Sequence, residues 1–254
     1  MEPWQLILLA LLGILAGTLN VIAGGGSLLT LPAMILMGMP EAVANGTNRV
    51  AILAQNITAV SAFRKKGFSD FRLSLSLGLA ALPGAIVGAW CGAVIRGDLF
   101  NKILAGVMIG VVIWMALKGR KKATSEGKPE EESKPSGARI IVGHLCIFGV
   151  GFYGGFIQAG VGFLLMAALH GVLGLDLVRV NMHKVFVVGV FTVAALIVFL
   201  VAGKVWWIPG LVLAVGNSLG GWIGSHLTIS RGEGFIRGVL YVALIAMAIK
   251  LVIG

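Results

Sequence analysis

The chain has 254 residues, 58% of them apolar and 12% charged, with a mean hydropathy of +0.99. A soluble domain is about 45–50% apolar and about 25% charged, so an ordinary soluble enzyme, a disordered chain and a collagen-like chain are excluded. The net charge of +10 is spread through short loops between apolar runs rather than gathered on a soluble face. That distribution sets membrane orientation and does not suit nucleic-acid binding. The composition describes an all-α polytopic membrane protein.

The first apolar run, MEPWQLILLALLGILAG, carries an acid and no Lys or Arg ahead of it. A signal peptide usually opens on a basic region, so the run is expected to be a retained membrane helix. In chain order the first half holds apolar segments at 4–22, 26–38, 43–63, 71–95 and 99–117. The second half holds them at 140–158, 161–175, 178–202, 205–229 and 233–253. A spanning helix needs about 20 apolar residues, and eight of the ten segments fit. The segments at 26–38 and 161–175 are short, and each follows a glycine-bearing break. They are predicted to be tilted short spans, re-entrant segments or half-helices, giving 8–10 spans in all. Residues 118–139 are polar and charged and read as a flexible connector. The predicted organisation is a first transmembrane repeat at 1–117, a cytoplasmic linker at 118–139 and a second repeat at 140–254.

The halves resemble each other. Ala23-Gly24-Gly25-Gly26 matches Ala159-Gly160-Val161-Gly162, 136 positions on. Glu41, Asn48 and Arg49 match Asp176, His183 and Lys184, 135 positions on. Gly84, Gly88 and Gly92 match Gly216, Gly220 and Gly224, 132 positions on. The loop at 64–72 carries four basic residues and the region 118–139 carries seven, so both are expected on the cytoplasmic side. The loop around Lys204, with Trp206 and Trp207, suits the opposite side. With five spans per half the second copy is inverted, and with four plus a re-entrant piece it is parallel. The charge asymmetry favours the inverted arrangement.

Paired short segments after glycine breaks, at matching places in two halves, point to a transporter binding site. A broken helix leaves backbone N–H groups free at the next helix start, where the dipole also favours an anion. Gly24, Gly25, Gly26 and Ser27 open one such segment, and Gly160 and Gly162 open the other. Asn20 and Gln158 stand beside the breaks and are expected to line the same cavity.

A second constellation opens the third segment of each half, PEAVANGTNRV and LDLVRVNMHKV. Glu41 and Asp176 fall in a first helical turn, where an acid suits the dipole. Arg49 and Lys184 lie about two turns into apolar helices, where a charge is expensive unless paired. Either they snorkel to the interface or they serve an anion. Asn48 and His183 adjoin them as hydrogen-bond donors, with Thr47 beside them. Gln55, Asn56, Asn217, Ser218, His144 and His226 are expected to bond between helices, and Cys91 to pack. The sequence contains neither a His-Glu-x-x-His motif nor zinc-type Cys/His spacing. No metal, cofactor or catalytic residue is therefore predicted, and an embedded enzyme or assembly factor is disfavoured.

The run GTLNVIAGGGSLLTLPAMILMGMPEAVANGTNRVA resembles the opening of the sulfite exporter TauE/SafE family of permeases. The GWIGSHLTIS stretch, the length near 250 residues and the half-to-half duplication also fit that family. Its members are usually described with seven or eight spans. The second copy departs from the pattern, with Gly160-Val161-Gly162-Phe163 in place of GGGS and Met182-His183-Lys184 in place of Thr-Asn-Arg. The resemblance implies a secondary transporter of small anions in the plasma membrane, chiefly sulfite, organosulfonates or organic acids, working by alternating access. An anion channel or passive pore is the alternative. A coupling ion, proton or sodium, and a second copy of the chain in a homo-oligomer are the further partners that this reading allows.

Overall fold

The computed structural model describes residues 2–95, 97–106, 109–110 and 137–253. Among these the chain forms nine helices and no strand. They are α1 (Pro3–Ile22), α2 (Ser27–Leu36), α3 (Glu41–Lys65), α4 (Phe71–Val94), α5 (residues 97–106), α6 (Gly137–Phe156), α7 (Val161–Gly171), α8 (Leu177–Val201) and α9 (Trp207–Ile253). Residues 111–136, which include most of the expected linker, lie outside the described residues. Residues 137–139 belong to the first turn of α6.

Local chemistry sets several helix starts. Pro3 occupies the first turn of α1 behind a Glu2/Gln5 capping box, with Glu2 N–H donating to Gln5 Oε1 at 2.8 Å. Asp70 caps α4 by accepting from Leu73 N–H. Asp176 caps α8 by accepting from Val178 and Arg179 N–H at 2.9 and 3.0 Å. Glu41 sits in the first turn of α3 and accepts from Asn101 Nδ2 at 2.7 Å.

α1, α4, α6 and α8 are long and apolar enough to cross a membrane. α3 is long enough, but Asn45, Thr47, Asn48, Arg49, Gln55 and Asn56 dilute its apolar character. All six of those side chains are buried. Large apolar side chains such as Ile7, Leu11, Trp90, Leu145 and Ile197 are exposed. Polar inside and apolar outside is the arrangement of a protein solvated by lipid. The two segments expected at 205–229 and 233–253 are one continuous helix, α9. The Ser230-Arg231-Gly232-Glu233-Gly234 stretch between them is polar but lacks a proline to break the backbone ladder.

Small residues register the bundle. Gly216, Gly220 and Gly224 of α9 lie against Ala10, Ile14 and Thr18 of α1, so α1 and α9 run parallel. Gly84 and Gly88 of α4 lie against Phe148 and Phe152 of α6, and Gly92 lies against Phe156, again parallel. In each case a β-carbon would meet the neighbouring backbone, which is how small residues let membrane helices close up. α3 runs with α9, since Gly210 lies by Thr47 and Gly221 by Gln55. α8 runs with α4, since Ser74 bonds His183 and Gly78 meets Val190. Thus α1, α3 and α9 point one way, and α4, α6 and α8 the other.

The short helices double back. Gly26 lies against Ala16 and Asn20, short of the end of α1, and Thr30 of α2 bonds Asn48 of α3. α7 starts with Val161 beside Gly154 of α6 and leads to Leu173 beside Gly143. α2 has 10 residues and α7 has 11. At 1.5 Å per residue each covers about 15 Å, roughly half of a 30 Å hydrocarbon layer.

Candidate functional site

The two breaks touch. Gly24 adopts φ +91° and Gly160 adopts φ +70°, conformations that favour glycine. A β-carbon on Gly24 would stand 2.5 Å from the carbonyl carbon of Gly162 and 2.6 Å from its α-carbon. The start of α7 therefore packs directly on the turn that precedes α2. Leu28 N–H to Gly25 C=O, at 3.0 Å, is the first backbone bond of the α2 turn. The amides of Gly26 and Ser27 stand ahead of it, at the positive end of the helix dipole. Gln158 takes a left-handed backbone, φ +61°, without being glycine. Such strain persists only where the surroundings hold it. Here the Gln158 side chain accepts from Arg49 Nη1 at 3.3 Å and donates to Thr192 Oγ1 at 2.9 Å.

Both intramembrane cations are buried and both grip the last carbonyls of a helix from the other half of the chain. Arg49 of α3 donates to the carbonyls of Gly154, at 3.1 Å, and Gly155 at the end of α6. It also donates to Asn45 Oδ1 at 3.3 Å, while Asn45 Nδ2 donates to Phe156 C=O at 2.7 Å. Lys184 of α8 donates to Val21 C=O at the end of α1, at 2.8 Å, and to Asn181 Oδ1 at 2.6 Å. Asn181 Nδ2 donates to Ile22 C=O at 3.2 Å. A cation and an amide thus satisfy the orphan carbonyls of each helix that ends at a break, where the dipole is negative. Among the described residues every acceptor bonded to the two cations is a carbonyl or amide oxygen, so their positive charge is hydrogen-bonded there but not neutralised.

Beside the junction lies a cavity of about 10 Å³, lined by Asn20, Ser27, Asn56, Gln158, Gly162 and Lys184 among others. That is room for about one water molecule. Asn20 and Asn217 both donate to Gln55 Oε1, at 3.2 and 3.4 Å, and so extend the polar network toward α9. Gln55 Nε2 and Asn217 Oδ1 are buried without a partner. Among the described residues no group of three or more His, Cys, Asp or Glu could hold a metal ion.

Of the ligand residues expected from the sequence, Asn20, Ser27, Gln158, Gly162 and Lys184 meet at this cavity. Asn56, expected to bond between helices, lines it as well, while its amide donates to Ile52 C=O of its own helix at 2.8 Å. Gly24, Gly25, Gly26 and Gly160 form the two turns of the cavity, and Arg49 reaches it through Gln158. Three others face elsewhere. Thr47 Oγ1 accepts from Trp206 N–H at 2.9 Å. Asn48 Oδ1 accepts from Thr30 at 2.9 Å. His183 Nδ1 bonds Ser74 Oγ at 2.8 Å and lines a separate open cleft of about 580 Å³ with Asp70, Arg72 and Arg179. Asn45 and Asn181, the acceptors that hold the cations, were not singled out. They stand 136 positions apart, the same offset as the glycine breaks, and that register was the available signal.

Comparison with known proteins places the chain among membrane transporters. The chain is 29% identical over 254 residues to the probable membrane transporter protein YfcA of Escherichia coli K12, covering 98% of this chain and 90% of that one. It is 28% identical to the probable membrane transporter protein ORF9 of a Sinorhizobium species, covering 93% and 88% of the two chains. A probable membrane transporter protein of Haemophilus influenzae is 26% identical, with 97% and 94% covered. No solved structure matches. The sequence profile of the sulfite exporter TauE/SafE family matches residues 9–251. The chain is a membrane transporter that belongs to the sulfite exporter TauE/SafE family.

Proposed function

We propose that this protein is a secondary transporter that moves small anions, sulfite or an organosulfonate above all, across the plasma membrane by alternating access. The observation that carries the reading is the junction of the two breaks. There the starts of α2 and α7 and Lys184 converge on one small cavity, whose wall mixes polar groups with Ile52, Val161, Val185 and Val188. Two helix starts, with their positive dipole ends, and a cation bonded to uncharged acceptors all favour a negative ligand. Low dielectric around them makes each of these attractions stronger than in water. The ligand groups are Asn20, Gly24–Ser27, Gln158, Gly160, Gly162 and Lys184, with Arg49 behind them; Thr47, Asn48 and His183 stand outside this set.

The size of the cavity supports alternating access over an open pore. A space for about one water does not pass a hydrated anion, so conduction requires the hairpins to part. The reciprocal grips, α3 on α6 and α8 on α1, support two inverted repeats, 1–117 and 140–254, that exchange their breaks across a pseudo-twofold axis. The basic loop at 64–72 and the linker at 118–139 then face the cytoplasm. The coupling ion is a proton or sodium, read out by imposing each gradient in turn.

The test is a thermal-shift panel on the purified protein with sulfite, sulfate, thiosulfate, sulfoacetate, taurine, acetate and chloride. A ligand at a hundredfold excess over its Kd stabilises the folded state by about 2.7 kcal/mol. A selective shift with a sulfur oxyanion or sulfonate supports the reading. A panel without any shift refutes it.

A further inference from the structure

The two buried cations look equivalent by position, but their hydrogen bonding is not. We propose that they divide the work. Lys184, steered by Asn181, is the direct contact for the anion, and Arg49 holds the end of α6 and the side chain of Gln158 without touching ligand. The inference rests on the anion-transport reading and refines it.

A guanidinium has five N–H donors in a fixed plane. In Arg49 four of them are engaged, by Gly154, Gly155, Gln158 and Asn45. Its carbon lies 4.6 Å from the centroid of the Phe199 ring, so one face is covered as well. Only Nε is left unpartnered, the side chain is fully buried, and Arg49 is absent from the cavity wall. An anion could reach this fork only by displacing bonds that hold α6.

Lys184 differs on each point. An ammonium has three N–H donors. Two go to Val21 C=O and Asn181 Oδ1, and the residue itself lines the cavity with Ser27 and Gly162. One donor therefore remains for a ligand. The 2.6 Å bond to Asn181 fixes where that donor points, because Asn181 is itself tied to Ile22 C=O. Asn181 must be neutral for this to work. A carboxylate in its place would accept from Lys184 equally well and cancel the charge.

Two isosteric substitutions separate the cations. Asn181→Asp neutralises Lys184, and Asn45→Asp neutralises Arg49. The full-length protein in detergent is titrated with sulfite and sulfoacetate, and Kd is read from the concentration dependence of the unfolding midpoint. Asn181→Asp is expected to weaken binding about tenfold or more, read as the ligand-induced shift above its own ligand-free midpoint, which falls with the loss of the donor to Ile22 C=O. Asn45→Asp, which leaves Lys184 and its partners untouched, is expected to stay within about threefold of the parent protein. Equal losses in the two Asp variants would make Arg49 a ligand contact and overturn the division. Parent-like binding in Asn181→Asp would remove Lys184 as the contact. If Asn181→Asp does not accumulate, Lys184→Gln reads the same contact, and binding retained there overturns the proposal. Failure of the anion reading looks different: the parent protein itself then shows no shift with either anion.

Discussion

Replacing Gly24 by alanine tests the junction of the breaks. The residue has φ +91°, where an L side chain costs roughly 1–2 kcal/mol. Its new β-carbon would also stand 2.5 Å from the Gly162 carbonyl carbon and 2.8 Å from Phe163 N, both backbone atoms that move only with α7. Overpacking of this kind costs about 1–3 kcal/mol, so the total is roughly 2–5 kcal/mol. At about 2–4 °C per kcal/mol for a chain of this size, the unfolding midpoint falls by roughly 4–20 °C. Gly174→Ala is the control. Its φ is +72°, but nothing lies within 4 Å of the added carbon, so only the conformational cost of about 1–2 kcal/mol applies. The assay is a melt of both variants beside the parent protein. The difference between them reports the contact between the breaks. Equal midpoints for Gly24→Ala and Gly174→Ala would show that the two turns do not press on each other, and the cavity between α2 and α7 would have no basis.

Other expectations follow from the same geometry. Arg49→Ala strips the bonds from the Gly154 and Gly155 carbonyls and from Gln158, and each buried group left unsatisfied costs about 1–3 kcal/mol. The yield of folded protein on size exclusion should therefore collapse. A normal yield would show that α6 is held by something else. Gln158→Gly relieves the φ +61° backbone but loses the bonds to Arg49 and Thr192. Stability is expected to fall by about 1–2 kcal/mol net, seen as a lowered unfolding midpoint, and a raised midpoint would mean that the side-chain bonds contribute little. With Cys91 and Cys146 replaced by alanine, a cysteine at Ser69 should react with an impermeant thiol reagent only from the cytoplasmic side, and one at Lys204 only from the outside. Labelling of both from one side would contradict the proposed orientation.

Much of the frame was legible in the sequence because membrane helices announce themselves by apolar length and by small residues at four-residue spacing. The Gly84/Gly88/Gly92 and Gly216/Gly220/Gly224 stripes, read as matched triplets, are the surfaces on which α4 meets α6 and α9 meets α1. The breaks at Gly24 and Gly160 were legible for the same reason, being paired interruptions in apolar runs. Direction around a helix was not. Neighbours in sequence point about 100° apart on a helix. Thus His183 and Asn48, adjacent to the two cations, face α4 and α2 rather than the cavity. The partners of the cations were also hidden. They are backbone carbonyls, which leave no trace in composition, and they come from the opposite half of the chain. Asn45 and Asn181 gain their meaning only when the ends of α6 and α1 are brought beside them. The continuity of α9 through Ser230–Gly234 was missed because polar residues end apolar runs without ending helices.

The decisive experiment is uptake of radiolabelled sulfite into proteoliposomes, comparing the parent protein with Lys184→Met. Saturable uptake that falls to background in Lys184→Met, compared per molecule of monodisperse protein recovered, is the expected result. Uptake that rises linearly without saturation, or that survives intact in Lys184→Met, would contradict it.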